Sequence, residues 1–357
     1  MNSIFSHKSE VAFSAKGYER LHELLTEKRY SKIFVIVDTN THELCLPAFL
    51  GMLQTTLDIE IIEIPEGETN KNIETCSGVW SALSELEADR KAIILNLGGG
   101  VVTDLGGFIA CTFKRGIDFI NIPTSLLAMV DASVGGKTGV DLGSLKNQIG
   151  VISEPLLVLI DVLFLDTLSA KELRSGLAEM YKHGLIADKR YWDALAELSE
   201  LNIDDLEGLI YDSVIIKNTI VLEDQRELGV RKTLNFGHTL GHAIESYLLT
   251  HATKQRLLHG EAIAIGMVLE SYLSRKRNAL SQAELEYIAQ VFTKMYEETE
   301  FTTEDITAII DLMKHDKKND YGRINFVLLN KIGSATYDEQ VDNSDIMEAF
   351  NFYKAQY

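Results

Sequence analysis

The chain has 357 residues, 46 % of them hydrophobic and 24 % charged, with 34 basic against 53 acidic side chains for a formal net charge of −19. That length suits two domains of ordinary size, and the balance is that of a folded protein rather than a disordered one. The negative excess disfavours nucleic acid and anionic membrane as partners, since both need a basic footprint, and an anionic substrate would require the few cations to be gathered in one place.

Met1 to Glu10 lacks the basic-then-apolar order of a secretory signal, and the apolar runs are far shorter than a membrane span. Short runs rich in Ile, Val and Leu follow: Lys32 to Val37, Ile59 to Ile64, Lys91 to Leu97, Phe119 to Ile122 and Leu156 to Asp161. They read as buried parallel strands, with helical stretches such as Ile73 to Ala88 between them. Beyond Asp161 the pattern turns helical, over Ala170 to Leu185, Tyr191 to Leu198, Ile203 to Glu223, Thr239 to Leu249, Glu261 to Lys276, Ser281 to Tyr296 and Thr303 to Lys314. Only Arg323 to Leu329 looks strand-like there. The expected architecture is a Rossmann-like α/β domain over 1–165 followed by an all-α domain over 166–357. Cys45, Cys76 and Cys111 are scattered without paired spacing, which fits a cytoplasmic location and gives neither a disulfide frame nor a thiolate metal site.

Two regions carry chemistry. Leu95 to Gly107 reads as a strand, then the turn Gly98-Gly99-Gly100, then a helix. Glycines there let backbone approach a pyrophosphate, and the helix start offers free amides and a positive dipole end. The spacing is not the usual G-x-G-x-x-G. Asp38, closing an earlier strand, is placed either to accept from ribose hydroxyls or to cap the next helix. In the helical half, Glu179, His238, His242 and His259 are candidate metal ligands, and His238 with His242 share a helix face by their i, i+4 spacing.

Taken with Pro123 to Thr138 and Asn235 to Glu245, these motifs resemble the 3-dehydroquinate synthase family from about Asp38 to Lys318. The resemblance implies an NAD-binding α/β domain, a helical domain, a homodimer, and a catalytic divalent metal, zinc or cobalt. It implies conversion of 3-deoxy-D-arabino-heptulosonate 7-phosphate to 3-dehydroquinate and phosphate, by transient oxidation, phosphate elimination, reduction and intramolecular aldol closure. The family's metal ligands fall on Glu179, His238 and His259, while His242 falls on a position facing the substrate phosphate. NAD contacts fall on Asp38, Glu68, Lys71, Gly99, Gly100, Asp104, Thr124 and Ser125. Substrate and catalytic positions fall on Asp131, Lys137, Lys146, Asn147, Lys182, Lys217, Arg231, Asn235 and Lys317. Arg115 matches an arginine that reaches the neighbouring subunit's site. The chain departs from the pattern at Leu145, at Ile152-Ser153-Glu154-Pro155 and at Ser169, which touch a loop and a helix entrance rather than the chemistry.

Three other readings compete. A cyclase acting on a sugar phosphate without a carboxylate is disfavoured by the joint presence of Lys217, Arg231, Asn235, His242 and Lys317. In a metal-dependent polyol dehydrogenase, Asp131 to Thr138 and the Lys146-Asn147 pair are out of place. A non-catalytic NAD-binding scaffold is expected to have lost one of Glu179, His238 or His259.

Overall fold

The computed structural model describes residues 1–143, 145–198, 203–251, 253–316 and 324–357. By contacts the chain separates into two compact units, 1–169 with 202–222, and 170–201 with 223–357.

The first unit is built on strands β1 (Ile4–Phe5), β2 (Glu10–Phe13), β3 (Ile33–Asp38), β4 (Ile59–Ile64), β5 (Ile93–Gly98), β6 (Asp118–Pro123), β7 (Lys137–Leu142), β8 (Leu145–Ile152) and β9 (Leu157–Ile160). Seven of them form one sheet in the order β1-β2-β9-β6-β5-β3-β4, parallel throughout except for the β1–β2 pair. The central strands read as continuous apolar runs because both faces are covered: Ile33 to Val37 and Ile93 to Leu95 are fully buried. All five expected strands are present within two residues of their expected ends. Four strands of this unit were not expected: β1 and β2, which pair with each other at one end of the sheet, and β7 and β8. β7 and β8 form a separate antiparallel hairpin, and β8 is largely exposed, so neither alternation nor a buried run marked it in the sequence.

The helix Ile203–Glu223 lies far along the helical half of the sequence, yet residues 202–222 group with the sheet. Three side chains show why. Lys217 bonds to Asp131, Asn218 donates to the Phe5 carbonyl at 2.9 Å, and the Tyr211 ring packs on Phe13 at 5.4 Å.

The second unit contains the helices Ala170–Ala187, Lys189–Ala196, His238–Thr250, His259–Arg277, Gln282–Met295, Thr303–Asp316 and Asn343–Lys354. Its helical starts are capped as the residue types suggest: Asp188 accepts from the Arg190 and Tyr191 amides, and Ser281 pairs reciprocally with Glu284. The unit is not purely helical. Strands β10 (Asn325–Lys331) and β11 (Ser334–Gln340) form an antiparallel hairpin. A lone strand would leave its ladder amides unmet, so the expected strand needs a partner. The hairpin is held by helices: Leu329 N donates to Ser274 Oγ at 2.8 Å and Gly333 N to the Leu185 carbonyl at 2.8 Å. Among the described residues, no helix is long and apolar enough to cross a membrane.

Candidate functional site

In the first unit, β4, β3, β5 and β6 are successive neighbours. The expected dinucleotide positions follow their C-terminal ends: Glu68 after β4, Asp38 closing β3, Gly99 and Gly100 after β5, and Thr124 with Ser125 after β6. Chain order reverses between β3 and β5, the place where open parallel sheets receive ligands. Gly98 is sterically required, and Gly99 sits in a tight place. A methyl on Gly98 would lie 2.5 Å from Val102 Cβ, and one on Gly99 would lie 3.3 Å from Ser125 Oγ. Gly99 begins the helix Gly100–Thr112 with no side-chain cap, leaving first-turn amides for an anion. This cradle fits a dinucleotide pyrophosphate. Asp38 does cap a helix, its Oδ1 accepting the Thr41 amide at 2.8 Å.

The other polar positions of this unit are tied to one another. Lys71, buried, donates to Asp104 Oδ2 at 2.6 Å and to Asn147 Oδ1 at 2.7 Å. Burial pushes the Asp104 carboxyl up even with Lys71 beside it. Lys146 stands 3.3 Å from Glu68, and Lys217 donates to the Asp131 carbonyl and carboxylate at 2.6 and 2.5 Å. Lys137 is exposed at the start of β7. Arg115 is exposed in the turn Lys114-Arg115-Gly116, where all three residues have positive φ. Together with Asp118 and Glu154 it lines an open recess of about 250 Å³.

In the second unit, glycine brings three helices close enough for their polar side chains to meet. A methyl on Gly260 would lie 1.9 Å from the Ser175 carbonyl oxygen, joining His259–Arg277 to Ala170–Ala187. A methyl on Gly266 would lie 2.0 Å from the Gly237 carbonyl, and one on Gly241 3.0 Å from Ile263 Cα, joining His259–Arg277 to His238–Thr250. Those three helices carry Glu179, His238 with His242, and His259.

Glu179 is fully buried. Its Oε2 takes an ion pair from the equally buried Lys182, and its Oε1 has no hydrogen-bond partner. Facing that oxygen are His238 Nε2 at 3.5 Å and His259 Nε2 at 3.7 Å. Two donors about 2.1 Å from a tetrahedral zinc stand ~3.4 Å apart, so this spacing fits a shared divalent ion. The far ring nitrogens are oriented as metal-bound imidazoles are: His238 Nδ1 lies 3.0 Å from the Phe236 carbonyl, and His259 Nδ1 lies 3.3 Å from Glu245 Oε2. His242 is also close, since His238, His242 and His259 each place a ring nitrogen within 4.8 Å of the others.

The charges are mutually adjusted. Burial pushes the Glu179 carboxyl up, but Lys182 and the two histidines outweigh it and hold the group well below the usual carboxylate range. Burial and the Lys182 charge lower His238 to about 4, which keeps the imidazole neutral and able to ligate. At His259 burial acts downward, yet the neighbouring carboxylates of Glu179 and Glu245 raise the group to about 9.

Arg231 is buried and donates to the Gln225 carbonyl at 2.8 Å, and Asn235 donates to Glu227 at 2.6 Å. Lys317 lies outside the described residues. Sequence reasoning assigned no role to Glu245, Glu227 or Glu270. Only Glu245 offered a signal, its spacing of two helical turns from His238.

Family comparison gives two adjoining matches, "3-dehydroquinate synthase N-terminal" over residues 61–175 and "3-dehydroquinate synthase C-terminal" over residues 176–319. The chain is 41 % identical over 339 residues to 3-dehydroquinate synthase of Parabacteroides distasonis, covering 94 % of this chain and 95 % of that protein. It is 38 % identical over 342 residues to the enzyme of the same name from Streptococcus pyogenes serotype M6, covering 95 % and 94 %. Among solved structures it superposes on ValA, the 2-epi-5-epi-valiolone synthase of Streptomyces hygroscopicus subsp. jinggangensis with NAD⁺ and Zn²⁺ bound. That match has a TM-score of 0.83 and 27 % identity, over 100 % of this chain and 99 % of that one.

Proposed function

The chain belongs to the 3-dehydroquinate synthase family, and we propose that it converts 3-deoxy-D-arabino-heptulosonate 7-phosphate into 3-dehydroquinate and phosphate, using NAD and a divalent metal. The reading assigns NAD to the positions on residues 1–165 and the metal, zinc or cobalt, to Glu179, His238 and His259 on residues 166–357. One observation carries its chemical part: the partnerless Glu179 Oε1, faced by two oriented imidazole nitrogens.

When bound, NAD supplies a hydride acceptor restored within each turnover, and the metal supplies a Lewis acid for substrate hydroxyls. The chain's own residues do the rest. Lys182 neutralises one oxygen of Glu179 and leaves the other for the ion. His242 faces the phosphate and the lysines act as charges toward it, while Arg231 offers a forked grip for a carboxylate. Lys182 and Lys217 stabilise alkoxide character as it develops. Asp131 holds the Lys217 ammonium by two hydrogen bonds, so that charge is preorganised. The protein acts as a cytoplasmic homodimer in which Arg115 serves the neighbouring subunit.

Chelation tests the metal assignment. Prolonged treatment with a strong chelator is expected to stop phosphate release from 3-deoxy-D-arabino-heptulosonate 7-phosphate, with added zinc or cobalt restoring it. Undiminished release from protein shown to be metal-free contradicts the assignment.

A further inference from the structure

The helix that starts at His238 has no side chain of its own to cap it. Its N-cap is Gly237, held in the left-handed region at φ 79°. The first-turn amides of any helix lack intrahelical acceptors, and leaving them unmet in a buried place is costly. Here the acceptor comes from a different helix. Glu270, fully buried, receives the Gly237 amide on Oε2 at 2.7 Å and the Leu240 amide on Oε1 at 3.1 Å.

Glu270 belongs to His259–Arg277, the helix whose first residue is His259. One carboxylate therefore fastens the start of the His238 helix to the helix that carries His259. The glycine contacts act at the same seam: a methyl on Gly237 would lie 2.4 Å from Met267 Cγ, and one on Gly266 would lie 2.0 Å from the Gly237 carbonyl. Glycine permits the approach, but it has no direction. The two hydrogen bonds supply that direction, because both carboxylate oxygens are engaged by amides on either side of His238. A shift or rotation of the His238 helix would break one or both.

We infer that Glu270 is a positioning residue for the metal: it sets where His238 Nε2 stands relative to Glu179 and His259. The inference rests on the assignment of Glu179, His238 and His259 as ligands. Negative charge at a helix start is favourable in itself, so a contribution to stability is expected as well. The test must separate the two.

The full-length protein would be compared with Glu270→Gln, Glu270→Asp, His259→Ala and Ser274→Ala. Ser274 lies one turn beyond Glu270, receives the Leu329 amide and donates to the Glu270 carbonyl, so its loss leaves a buried amide unmet beside the same turn without removing either bond to the His238 helix. Zinc affinity would be read by chelator competition, cobalt geometry by its visible absorption, and metal-free stability by thermal unfolding. Glu270→Gln turns one acceptor into a donor facing an amide. Outer partners of metal ligands are typically worth about 10–100-fold in affinity. A loss of that size is expected for Glu270→Gln, with an altered cobalt spectrum, and a smaller loss for Glu270→Asp. Ser274→Ala is expected to lower stability and leave zinc affinity unchanged.

Wild-type zinc affinity in Glu270→Gln overturns the inference. So does a loss in Ser274→Ala that follows stability in the same proportion, and so does failure of both Glu270 variants to fold. If the wild type itself binds no zinc, or His259→Ala binds it as tightly, the ligand assignment is at fault.

Discussion

His259 Nδ1 lies 3.3 Å from a carboxylate oxygen of Glu245, on the helix that also carries His238 and His242. A carboxylate behind an imidazole fixes which nitrogen keeps its proton and turns the other toward the metal. The Nε2 of His259 is accordingly the atom that faces Glu179.

Replacing Glu245 by Gln is expected to keep the fold and weaken zinc binding by about 10–100-fold, the usual worth of such a partner. Isothermal titration against metal-free protein measures it, and unchanged affinity removes Glu245 from the site.

The histidines are separable. His259→Ala is expected to lose bound metal, whereas His242→Ala should retain it and slow turnover. Metal content by atomic emission, measured beside the rate, distinguishes them. Equal loss of metal from both variants would make His242 a ligand and would change the assigned set.

Gly260→Ala places a methyl 1.9 Å from the Ser175 carbonyl, a backbone atom that cannot swing aside. Overpacking typically costs about 1–3 kcal/mol, and a backbone contact belongs at the upper end. Urea unfolding should show that loss, together with weaker zinc binding, because this contact spaces His259 from Glu179. Gly51, whose methyl would meet nothing within 4 Å, is the control: Gly51→Ala should leave zinc affinity unchanged.

Asp305 gives a pH-dependent prediction. Burial pushes its carboxyl up, but Lys254, Tyr247 and the Thr302 amide outweigh that and hold it well below the usual range. A carboxyl whose folded pKa is depressed stabilises the protein above its unfolded value of about 3.9, and that stability is lost as pH falls through the folded pKa. Asp305→Asn should therefore cost about 2 kcal/mol near neutral pH, with the difference from wild type shrinking below about pH 4. Unfolding curves across pH measure it; a difference that stays constant into acid contradicts the ionic account.

Much of the scaffold was legible because burial leaves a pattern. The runs at Ile33 to Val37 and Ile93 to Leu95 are apolar since both faces of the sheet are covered, and the helices of the second unit repeat their apolar residues every turn. What escaped lacks such a pattern. β8 is largely exposed and β11 has no buried residue, being half-buried or exposed throughout, and pairing of that kind is set by backbone rather than by side-chain alternation. The attachment of Ile203–Glu223 to the sheet unit depends on Lys217 and Asn218 meeting residues 86 and 213 positions away, which spacing cannot reveal.

The candidate site divides the same way. Gly98 to Gly100 and the histidines stood out because their residue types have few other uses in such positions. Glu245 and Glu270 did not, because a carboxylate that accepts from an imidazole or a backbone amide looks in sequence like any surface acid. The resemblance took His259 rather than His242 as the third ligand beside Glu179 and His238, and the geometry gathered Glu179, His238, His242 and His259 in one place.

The central claim is that the chain recycles its redox cofactor while it releases phosphate. The most direct measurement follows phosphate from 3-deoxy-D-arabino-heptulosonate 7-phosphate with zinc and NAD⁺ held below the substrate concentration, while absorbance at the NADH band is recorded. Phosphate should exceed NAD⁺ many times over with no accumulation of NADH. Phosphate formation limited to one equivalent of NAD⁺, or none from folded, zinc-loaded protein, would contradict the account.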